Sequence, residues 1–558
     1  MSESPDPGIT DQSQSSAPPS GAHTLVRQLR AEGVRHVFGV PGAQIMGMLD
    51  ALYDYPDIAF ITNRHEQGSG YMADGSARVT GRPGVLATVP GVGVYNAGAA
   101  IATAYACSYP VLLLAGQVSR DKIGKNTGIL HEVHDQLEIL RPITKWAHRE
   151  LDGARLGAAV HEAFGQMLSN RPQPASLEFP PEALAEPGSS GVLPPARRDQ
   201  PAVDLKAVSK AAEFAAAAAS PLIIAGGGAV GGDAYAEVTA LAERIQAAVL
   251  VTREGKAAID NRHPLFVGST WANTRRLADV YGSADLVIAI GTRLEGYTLR
   301  PGQRLIRIDV DPSRLADRQD VALLGDAREV LAALTGELEM AGPRPSSRSA
   351  EVARMREALV SKLREFPQTP IVDALRAAIP DDAVIAGGTT TVGYMCHAYL
   401  PIHSPRGYLS TSYMGTLGFS LAMGLGAKLG APDRPVVTIS GDGGFLFGAT
   451  ELATAVQYGL NTINVVFNDN AYGNPNREQH EDWGGRAIGT ELINPDFVAF
   501  ARSFGVEGVK VSDPDSLSAA IKDALSHEGP TLIEYPHERL PYVFRDPPRE
   551  AAAKRSGQ

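Results

Sequence analysis

Apolar positions in this chain follow two periods, one typical of buried strands and one typical of amphipathic helices. After a polar N-terminal stretch, the apolar positions predict helix 23–32, strand 34–39, helix 44–53, strand 58–61 and helix 66–80. The apolar runs VLATV and VLLLAG, separated by a helix of small residues at about 95–109, continue the series. This alternation predicts a parallel sheet with helices on both faces.

The same alternation recurs twice more along the chain. A Pro/Gly/Ser-rich stretch at 186–201 separates a first unit, residues 22–185, from a second unit at 202–340. A charged helical segment at 349–364 leads to a third unit at 365–545. The fold class predicted is α/β, with three consecutive doubly wound domains built on parallel sheets. Residues 1–21 are polar and rich in Pro and Ser, which predicts a disordered tail.

Size and composition narrow the class of protein. At 558 residues the chain is too long for one hydrophobic core, and 44% apolar with 20% charged residues is ordinary for a globular protein. The net charge of −11 offers no general attraction to nucleic acid or to anionic membranes. Two cysteines, no signal-peptide pattern and no long apolar run lead us to expect a cytoplasmic protein that does not enter a membrane.

The run GDGGFLFGATELATAVQYGLNTINVVFNDN, residues 441–470, carries the most informative chemistry. One apolar strand is predicted just before Asp442, a helix at about 445–458, and a second strand, 462–467, before Asp469. Strand, helix and strand in this order form a right-handed βαβ unit, which brings both strand ends to one edge of the sheet. Two carboxylates beside a glycine loop can bind Mg²⁺ and the phosphates that it bridges, although each half alone would be an ordinary Asx turn.

This motif resembles the cofactor signature of thiamine diphosphate enzymes. The resemblance implies thiamine diphosphate and Mg²⁺ as cofactors, with the side chains of Asp442 and Asp469 and the backbone carbonyl of Ala471 as metal ligands. Further cofactor contacts are implied for Gly441, Gly443, Gly444, Tyr472 and Gly473. Many relatives have Asn-Asn where this chain has Asn468-Asp469, a difference that retains an oxygen ligand and adds a negative charge.

A second segment, FITNRHEQGSGYMADGSAR at 60–78, resembles the part of these enzymes that carries the activating glutamate. By that resemblance Glu66 hydrogen-bonds N1′ of the aminopyrimidine ring and thereby promotes deprotonation of thiazolium C2. A glutamate at a helix N-terminus is otherwise an ordinary surface residue that interacts favourably with the helix dipole.

A third segment, TSYMGTLGFSLAMGLGAKLG at 411–430, is similar to the part that cradles the aminopyrimidine. Its position implies that the Gly415 carbonyl accepts from the 4′-amino group and that Leu417 is the apolar wedge that bends the cofactor into a V shape. Core packing is the alternative for Leu417. FGVPGAQ (38–44) and ATVPGVGVYNAGAAIATAY (87–105) match as well, so the similarity covers roughly residues 22–545.

The resemblance also implies the roles of the units and the assembly. Residues 22–185 correspond to a pyrimidine-binding domain, 202–340 to a central domain and 365–545 to a diphosphate-binding domain. In this superfamily the activating glutamate and the diphosphate site come from different subunits. A homodimer or homotetramer with active sites at the subunit interface is therefore expected.

Within the superfamily the chain is most similar to acetolactate synthase and related carboligases and lyases. The similarity rests on GQV (116–118), RPITKWAHR (141–149) and RIDVDP (307–312). The substrate side differs: Glu478 stands near the place where acetolactate synthases have a Trp that helps select the acceptor. Leu130-His131 stands where relatives have Phe-Gln.

His131, Gln44 and Gln117 are the candidate substrate-facing catalytic residues besides Glu66. His131 either moves a proton to or from the donor's carbonyl oxygen, as an imidazole can, or is a structural histidine. Gln44 and Gln117 either donate hydrogen bonds to the substrate or are a helix-start residue and a loop residue.

The implied reaction is decarboxylation of a 2-oxo acid, followed by ligation of the retained carbon to an aldehyde or a second oxo acid. The alternatives are a non-ligating 2-oxo acid decarboxylase or an acyloin lyase, a flavin-dependent oxidase, and a catalytically silent paralogue. A silent paralogue is expected to lose the activating glutamate or the metal ligands, and this chain retains both.

A glycine turn in the central unit raises the question of a flavin. Gly226 to Gly231 reads GxGxxG after a predicted strand, which is weak evidence by itself for a dinucleotide site. Acetolactate synthases hold a structural FAD in this domain. In this chain GST (268–270) and GTRLEGYTL (291–299) replace their flavin contacts, so FAD is the least favoured of the three cofactors.

Overall fold

The computed structural model describes residues 18–316, 319–340, 342 and 345–543. These residues form three six-stranded sheets in which every strand pairs parallel with its neighbours. The predicted α/β class with three parallel sheets is confirmed. Part of the predicted tail, residues 1–17, lies outside the described residues, but Ser20 already caps the first helix.

The first domain follows the predicted order of strands and helices. Its strands are β1 His36–Gly39, β2 Ala59–Thr62, β3 Gly84–Thr88, β4 Val111–Gly116, β5 Trp146–Arg149 and β6 Ala175–Phe179. Its helices are α1 Gly21–Ala31, α2 Met46–Tyr53, α3 Glu66–Thr80, α4 Val92–Cys107, α5 Gln136–Leu140, α6 Leu156–Leu168 and α7 Pro181–Ala185. The bounds of α3 are those predicted, and the other predicted elements shift by a few residues.

The central domain is built in the same manner. Its strands are β7 Pro221–Ala225, β8 Ala248–Val251, β9 Phe266–Ser269, β10 Leu286–Ile290, β11 Arg304–Asp309 and β12 Val321–Leu324. Its helices are α8 Leu205–Ala217, α9 Gly227–Gly231, α10 Tyr235–Ile245, α11 Ala278–Ser283 and α12 Ala327–Met340. The connecting helix α13 Ser349–Leu363 lies where the charged segment predicts it.

The third domain carries the GDG motif. Its strands are β13 Val384–Gly387, β14 Tyr408–Leu409, β15 Val436–Gly441, β16 Ile463–Asn468, β17 Glu507–Lys510 and β18 Thr531–Pro536. Its helices are α14 Thr369–Ala378, α15 Thr391–Tyr399, α16 Phe419–Gly430, α17 Asp442–Leu446, α18 Leu452–Gln457, α19 Gly473–Glu481, α20 Phe497–Ser503 and α21 Pro514–Ala524.

The start and the continuity of one predicted helix were wrong. The segment predicted as a single helix at 445–458 begins at Asp442 and is divided into α17, a 3₁₀ turn Ala449–Glu451 and α18. Gly448 lies at this interruption, and glycine weakens a helix because it has high conformational freedom in the unfolded chain. Helical structure therefore starts at the first GDG carboxylate itself.

The first and third sheets share one strand order. It is β2-β1-β3-β4-β6-β5 in the first sheet and β14-β13-β15-β16-β18-β17 in the third, which is the same order counted from each sheet's first strand. The central sheet has the order β12-β11-β10-β7-β8-β9, the order of dinucleotide-binding folds. The chain thus contains one architecture twice, on either side of a different one.

The first and third domains share a hydrophobic core. Helices α3 and α4 and helix α16 fill the space between the two sheets, with Tyr71, Met72 and Phe419 fully or almost fully buried there. Burial of side chains of this size stabilises the fold by roughly 1.5–3 kcal/mol each. The outer face of the first sheet packs on α1, α2 and α6. Packing on both faces therefore fixes the helices that border the site.

A buried ion cluster joins all three domains near the end of α3. Arg78 bonds to both carboxylate oxygens of Asp74, at 2.8 and 2.9 Å, and to Glu254 of the central domain at 3.0 Å. Its Nη1 also donates to the Ser410 carbonyl of the third domain at 2.7 Å. Burial raises the pKa of Asp74, and the adjacent guanidinium opposes that rise.

In the part of the chain that the structure describes, no helix is both long and apolar enough to cross a membrane.

Candidate cofactor and active site

Asp442 and Asp469 meet at the carboxyl edge of the third sheet. Strands β15 and β16 are parallel neighbours, and each aspartate directly follows its strand. The Asp442 Oδ2 atom accepts a hydrogen bond from Ala471 N at 3.2 Å, so the loops after the two strands are in contact. The convergence that the βαβ pattern predicts is confirmed.

The two carboxylates lie in an environment that disfavours their negative charge. Burial raises the pKa of Asp442, which is 2% exposed. Burial, together with the negative charge of Asp442, also raises the pKa of Asp469, whose side chain is 8% exposed. The Arg539 guanidinium, 3.9 Å from Asp469 Oδ2, compensates this pair only in part. Adjacent buried carboxylates of this kind fit a divalent cation with oxygen ligands.

The side chains of Asp442 and Asp469 alone are too few to complete the coordination of a metal ion, which also needs backbone or cofactor oxygens. Among the described residues no group of three or more His, Cys, Asp or Glu side chains could hold a metal ion. Ala471 forms a β-bridge with Glu491 whose hydrogen bonds run from Tyr472 N and to Asn470 O, so they do not use the Ala471 carbonyl. That carbonyl and phosphate oxygens fit the remaining positions around Mg²⁺.

Amide side chains that sequence reasoning missed surround Asp442. Asn494 Nδ2 donates to Asp442 Oδ2 at 2.6 Å, to Asn468 Oδ1 at 3.0 Å and to Asn470 Oδ1 at 3.2 Å. Asn468 Nδ2 in turn donates to Glu534 at 2.9 Å. Such second-layer bonds orient metal ligands. The position of Asn468 and Asn470 next to Asp469 is a sequence signal, but no motif marks Asn494.

The remaining residues of the cofactor prediction lie around the same edge. Gly441 ends β15, Gly443 packs against the Tyr472 ring, and Gly473 begins α19 beside the Asp469 carboxylate. The Leu417 side chain is half-buried and would be 3.9 Å from a Cβ placed on Gly444. Gly415 is exposed and has a left-handed φ of 59°, which favours glycine. The roles of Gly415 and Leu417 toward the cofactor stay predictions.

Glu66 lies at the carboxyl edge of the first sheet, at the start of α3. The residue is 8% exposed, and its Oε2 accepts a hydrogen bond from Asn96 Nδ2 at 2.9 Å. A Cβ on Gly93 would lie 3.6 Å from its Oε1, so the start of α4 borders the carboxylate. Glu66 is therefore largely shielded from water and not the exposed residue of the alternative interpretation. Asn96 is a neighbour that no sequence motif marked.

Gln44 and His131 lie together on this edge. Gln44 Nε2 donates to the Leu130 carbonyl at 3.4 Å, and the His131 carbonyl packs against Gly91 just before α4. Gln44 Oε1 is buried and has no hydrogen-bond partner among the described residues. An unsatisfied buried acceptor is uncommon in a folded protein and fits a donor from a bound ligand.

Gln117 lies in a buried polar network directly after β4. This residue is 1% exposed, its Oε1 accepts from Val118 N at 2.8 Å and its Nε2 donates to buried Glu178 at 3.3 Å. Gln136 bonds to the same Glu178 carboxylate at 2.9 Å. These bonds orient the Gln117 side chain but use one N–H of its amide, and an amide carries two. The role of Gln117 toward the substrate stays a prediction.

The glycine turn of the central domain lines a cleft. Gly226 follows β7 and Gly291 follows the neighbouring β10, and Gly228 N donates to the Gly291 carbonyl at 3.0 Å. Arg293 and Asp309 are among the other residues of this cleft. Its place, where the strand order of the sheet reverses, is typical of nucleotide sites. Binding of FAD in this cleft stays a prediction.

Comparison with known families agrees with these two half-sites. The chain matches the thiamine pyrophosphate enzyme N-terminal TPP binding domain over residues 19–139, the central domain over 208–334 and the C-terminal TPP binding domain over 388–535. Thiamine pyrophosphate is the same compound as thiamine diphosphate. The chain belongs to the thiamine pyrophosphate enzyme family.

Curated relatives extend over almost the whole chain. A probable 2-ketoarginine decarboxylase, AruI, of Pseudomonas aeruginosa is 35% identical over 93% of this chain and 94% of its own length. A probable acetolactate synthase large subunit of Methanocaldococcus jannaschii is 32% identical over 94% and 93%. The acetolactate synthase large subunit of Parasynechococcus marenigrum is 33% identical over 92% and 87%. The protein is thus a thiamine diphosphate-dependent enzyme of the acetolactate synthase-like group.

Proposed function

We propose that this protein uses thiamine diphosphate and Mg²⁺ to decarboxylate a 2-oxo acid and then ligates the retained carbon unit to a second carbonyl compound. The observation that carries this proposal is the presence of two complementary half-sites on one chain. One is the buried pair Asp442 and Asp469 at the edge of the third sheet. The other is the shielded carboxylate of Glu66 at the equivalent edge of the first sheet.

Each half-site supplies different groups to the cofactor. Asp442, Asp469 and the Ala471 carbonyl would hold Mg²⁺, and Asn494 keeps the Asp442 carboxylate oriented through its 2.6 Å hydrogen bond. Glu66 would exchange a proton with the aminopyrimidine. Bound thiamine diphosphate supplies a nucleophilic carbon and a ring that accepts the electron pair released when the 2-oxo acid loses CO₂.

Gln44 and His131 would contact the substrate. Gln44 is supported by its unpartnered buried Oε1, and His131 by its position beside Gly91, where the loop before α4 borders the Glu66 side of the site. Their placement on one sheet edge supports a shared binding surface. A proton relay through His131 remains part of this proposal.

The assembly that we propose is a homodimer or homotetramer in which Glu66 of one subunit faces the diphosphate site of another. Exposed apolar side chains support this arrangement, because they border both half-sites. Val92 and Tyr95 at the start of α4 are 47% and 58% exposed, and Phe447 after α17 is 53% exposed. Apolar surface of this kind marks interaction sites. We also propose that the protein is cytoplasmic.

Product analysis tests the proposed reaction. Purified protein is incubated with thiamine diphosphate, Mg²⁺ and pyruvate, with and without added aldehydes and oxo acids, and products are identified by mass spectrometry and NMR. Acetolactate or a mixed acyloin is the expected result. Asp442→Ala protein provides the matched control, since any product that it forms in equal amount does not depend on this site.

A second candidate function is decarboxylation without ligation, with a donor acid that carries a positive side chain. Two observations favour it. Glu478 on α19 is exposed and stands near the position of the acceptor-selecting Trp, and the 2-ketoarginine decarboxylase relative is 35% identical. A carboxylate at that place would attract a guanidinium or ammonium group.

Competing donors separate the two candidates. If the second is right, 2-ketoarginine yields CO₂ and an aldehyde, no ligation product forms, and Glu478→Gln raises KM for 2-ketoarginine but not for pyruvate. Glu481→Gln on the same helix is the matched control, because Glu481 is already paired with Arg477 at 2.5 Å. Equal KM values for all three proteins with 2-ketoarginine would remove Glu478 from the proposal.

A further inference from the structure

Glu451 is a buried carboxylate to which the proposed reaction gives no role. It ends the 3₁₀ turn Ala449–Glu451 between α17 and α18, and it is 1% exposed. A buried carboxylate is costly unless hydrogen bonds compensate the loss of water. The groups that donate hydrogen bonds to Glu451 therefore indicate which part of the structure the buried carboxylate holds in place.

Four hydrogen bonds satisfy the carboxylate, and three of the donors lie in the loop directly before Glu66. Oε1 accepts from the backbone N–H groups of Arg64 and His65, both at 3.1 Å. Oε2 accepts from Asn63 Nδ2 at 3.1 Å and from Thr454 Oγ1 at 2.6 Å. Because backbone N–H groups need a partner when buried, the conformation of this loop depends on a side chain of another domain.

The carboxylate also occupies the space that a side chain at position 68 would need. A Cβ placed on Gly68 would lie 2.3 Å from Glu451 Oε1, so a side chain at this position would displace the carboxylate. Gly68 belongs to the first turn of α3, two residues after Glu66. The first turn of α3 is therefore packed directly on Glu451.

Gln457 of the same helical run makes a different kind of contact with this loop. Its Oε1 accepts from Arg64 Nη2 at 2.9 Å, at the protein surface. Gln457 therefore contacts the Arg64 side chain, whereas Glu451 accepts from the backbone N–H groups of residues 64 and 65.

We propose that Glu451 is a positioning residue that directs the Glu66 carboxylate by fixing the backbone of residues 64 and 65 and the first turn of α3. The inference deepens the proposed function, because it rests on the activating role of Glu66 given there. A group that shares a proton with a bound ring must be held closely in place, and a displacement of about 1 Å can reduce a rate by about 100-fold.

Two measurements on Glu451→Gln test the proposal. A glutamine amide cannot accept from both pairs of donors, so backbone hydrogen exchange at residues 64 and 65 should rise about tenfold in the cofactor-free protein. With bound thiamine diphosphate, hydrogen exchange at C2 and kcat should both fall about 10- to 100-fold. KM for the 2-oxo acid should stay unchanged, because Glu451 forms no hydrogen bond with the proposed substrate contacts Gln44 and His131 or with the proposed metal ligands.

Two further variants sharpen the test. Gly68→Ala should displace the carboxylate from the other side and reproduce both effects, and the double variant Gly68→Ala, Glu451→Gln should be less than additive. Gln457→Ala is the matched control, since it removes an interdomain bond beside Glu451, and it should leave both measurements at wild-type values.

The proposal is overturned if Glu451→Gln keeps wild-type C2 exchange, whether or not backbone exchange rises. Should this variant fold poorly, Thr454→Val, which removes one donor and leaves the other three, takes its place with the same two criteria. Backbone exchange needs no turnover. C2 exchange needs the cofactor but no substrate, so failure to find a 2-oxo acid substrate would refute the proposed function without affecting this test.

Discussion

Burial raises the pKa of both Asp442 and Asp469, which follow adjacent strands, and the negative charge of Asp442 raises the pKa of Asp469 further. A raised pKa in the folded state means that the ionised pair destabilises the cofactor-free protein above that pKa. The penalty is relieved as the pH falls through it or as a cation binds. The site therefore carries a driving force for metal binding that the unfolded chain lacks.

Asp469→Asn separates these two effects. The substitution retains an oxygen ligand and removes one of two like charges. The free energy of unfolding of the cofactor-free protein at pH 7 should rise, as measured by urea denaturation. Mg²⁺ affinity, measured calorimetrically with thiamine diphosphate present, should fall by about tenfold because the ligand charge is lower. A loss of stability would show that the two carboxylates do not repel each other.

Glu66→Gln tests the other half-site. The amide cannot exchange a proton with the aminopyrimidine, so hydrogen exchange at C2 of the bound cofactor should slow by about 100-fold or more, measured by NMR after acid quench. Binding of thiamine diphosphate and Mg²⁺ should be nearly unchanged, because the diphosphate ligands are intact. Wild-type exchange in this variant would discard the assignment of Glu66.

At the scale of single elements, α3 combines function at its start with domain assembly near its end. Glu66 opens the helix, and Arg78 in its last turn joins the three domains through Asp74, Glu254 and the Ser410 carbonyl.

Arg78→Leu should leave Asp74 and Glu254 buried without their cation. Loss of one partner of a buried ion pair costs about 3–5 kcal/mol, and we expect a decrease of that size in the free energy of unfolding. Arg30→Leu is the control: Arg30 pairs with Asp57 at 2.8 Å, both are substantially exposed, and such pairs contribute roughly 0–1 kcal/mol. Equal effects of the two substitutions would contradict the role of the junction.

Lys256, in the segment after β8, gives the packing between the central and third domains a pH dependence. Its Nζ donates to the Leu400 carbonyl at 2.5 Å, and burial lowers its pKa from 10.5 to about 7. Between these two pH values the unfolded chain binds more protons at this group than the folded chain. Stability contributed at this position therefore rises with pH across that window.

Comparison of the wild type with the variant Lys256→Met isolates the pH-dependent part of the stability that Lys256 contributes. The free energy of unfolding of the wild type, relative to the variant, should increase as the pH is raised from about 7 toward 10.5. In the folded protein neighbouring Cys396 does not titrate in this window, because burial raises the pKa of its thiol to about 12, and its titration in the unfolded chain is common to both proteins. Urea denaturation of both proteins at several pH values gives the difference, and a constant difference would mean that Lys256 stays charged.

At the scale of the whole molecule, the repeated sheet architecture gives each chain one pyrimidine-type and one diphosphate-type half-site. If active sites form between subunits, Glu66→Gln and Asp442→Ala proteins, each inactive alone, should complement each other. Random mixing puts one intact site in half of the dimers, so about one quarter of wild-type activity should return. Subunit exchange under mild denaturant followed by an activity assay measures it, and no recovery would place both half-sites of an active centre on the same chain.

The sequence by itself determined the α/β class, the order of strands and helices, and the meeting of Asp442 with Asp469. These follow from local hydrophobic periodicity and from the fixed handedness of a βαβ unit, neither of which needs distant contacts. The motifs around Glu66 and Asp442 also determined the cofactor class, which the family comparison confirmed.

Only the tertiary structure decided which polar residues are free and which are part of the core. The structure shows that Gln117, which lies in the GQV motif, bonds to buried Glu178, and that Asn494, which no motif marks, bonds to Asp442. Glu451 reaches a loop almost 400 positions earlier in the chain, with Asn63 at a separation of 388 residues. Such partners depend on how domains pack against one another, and no local pattern records that packing.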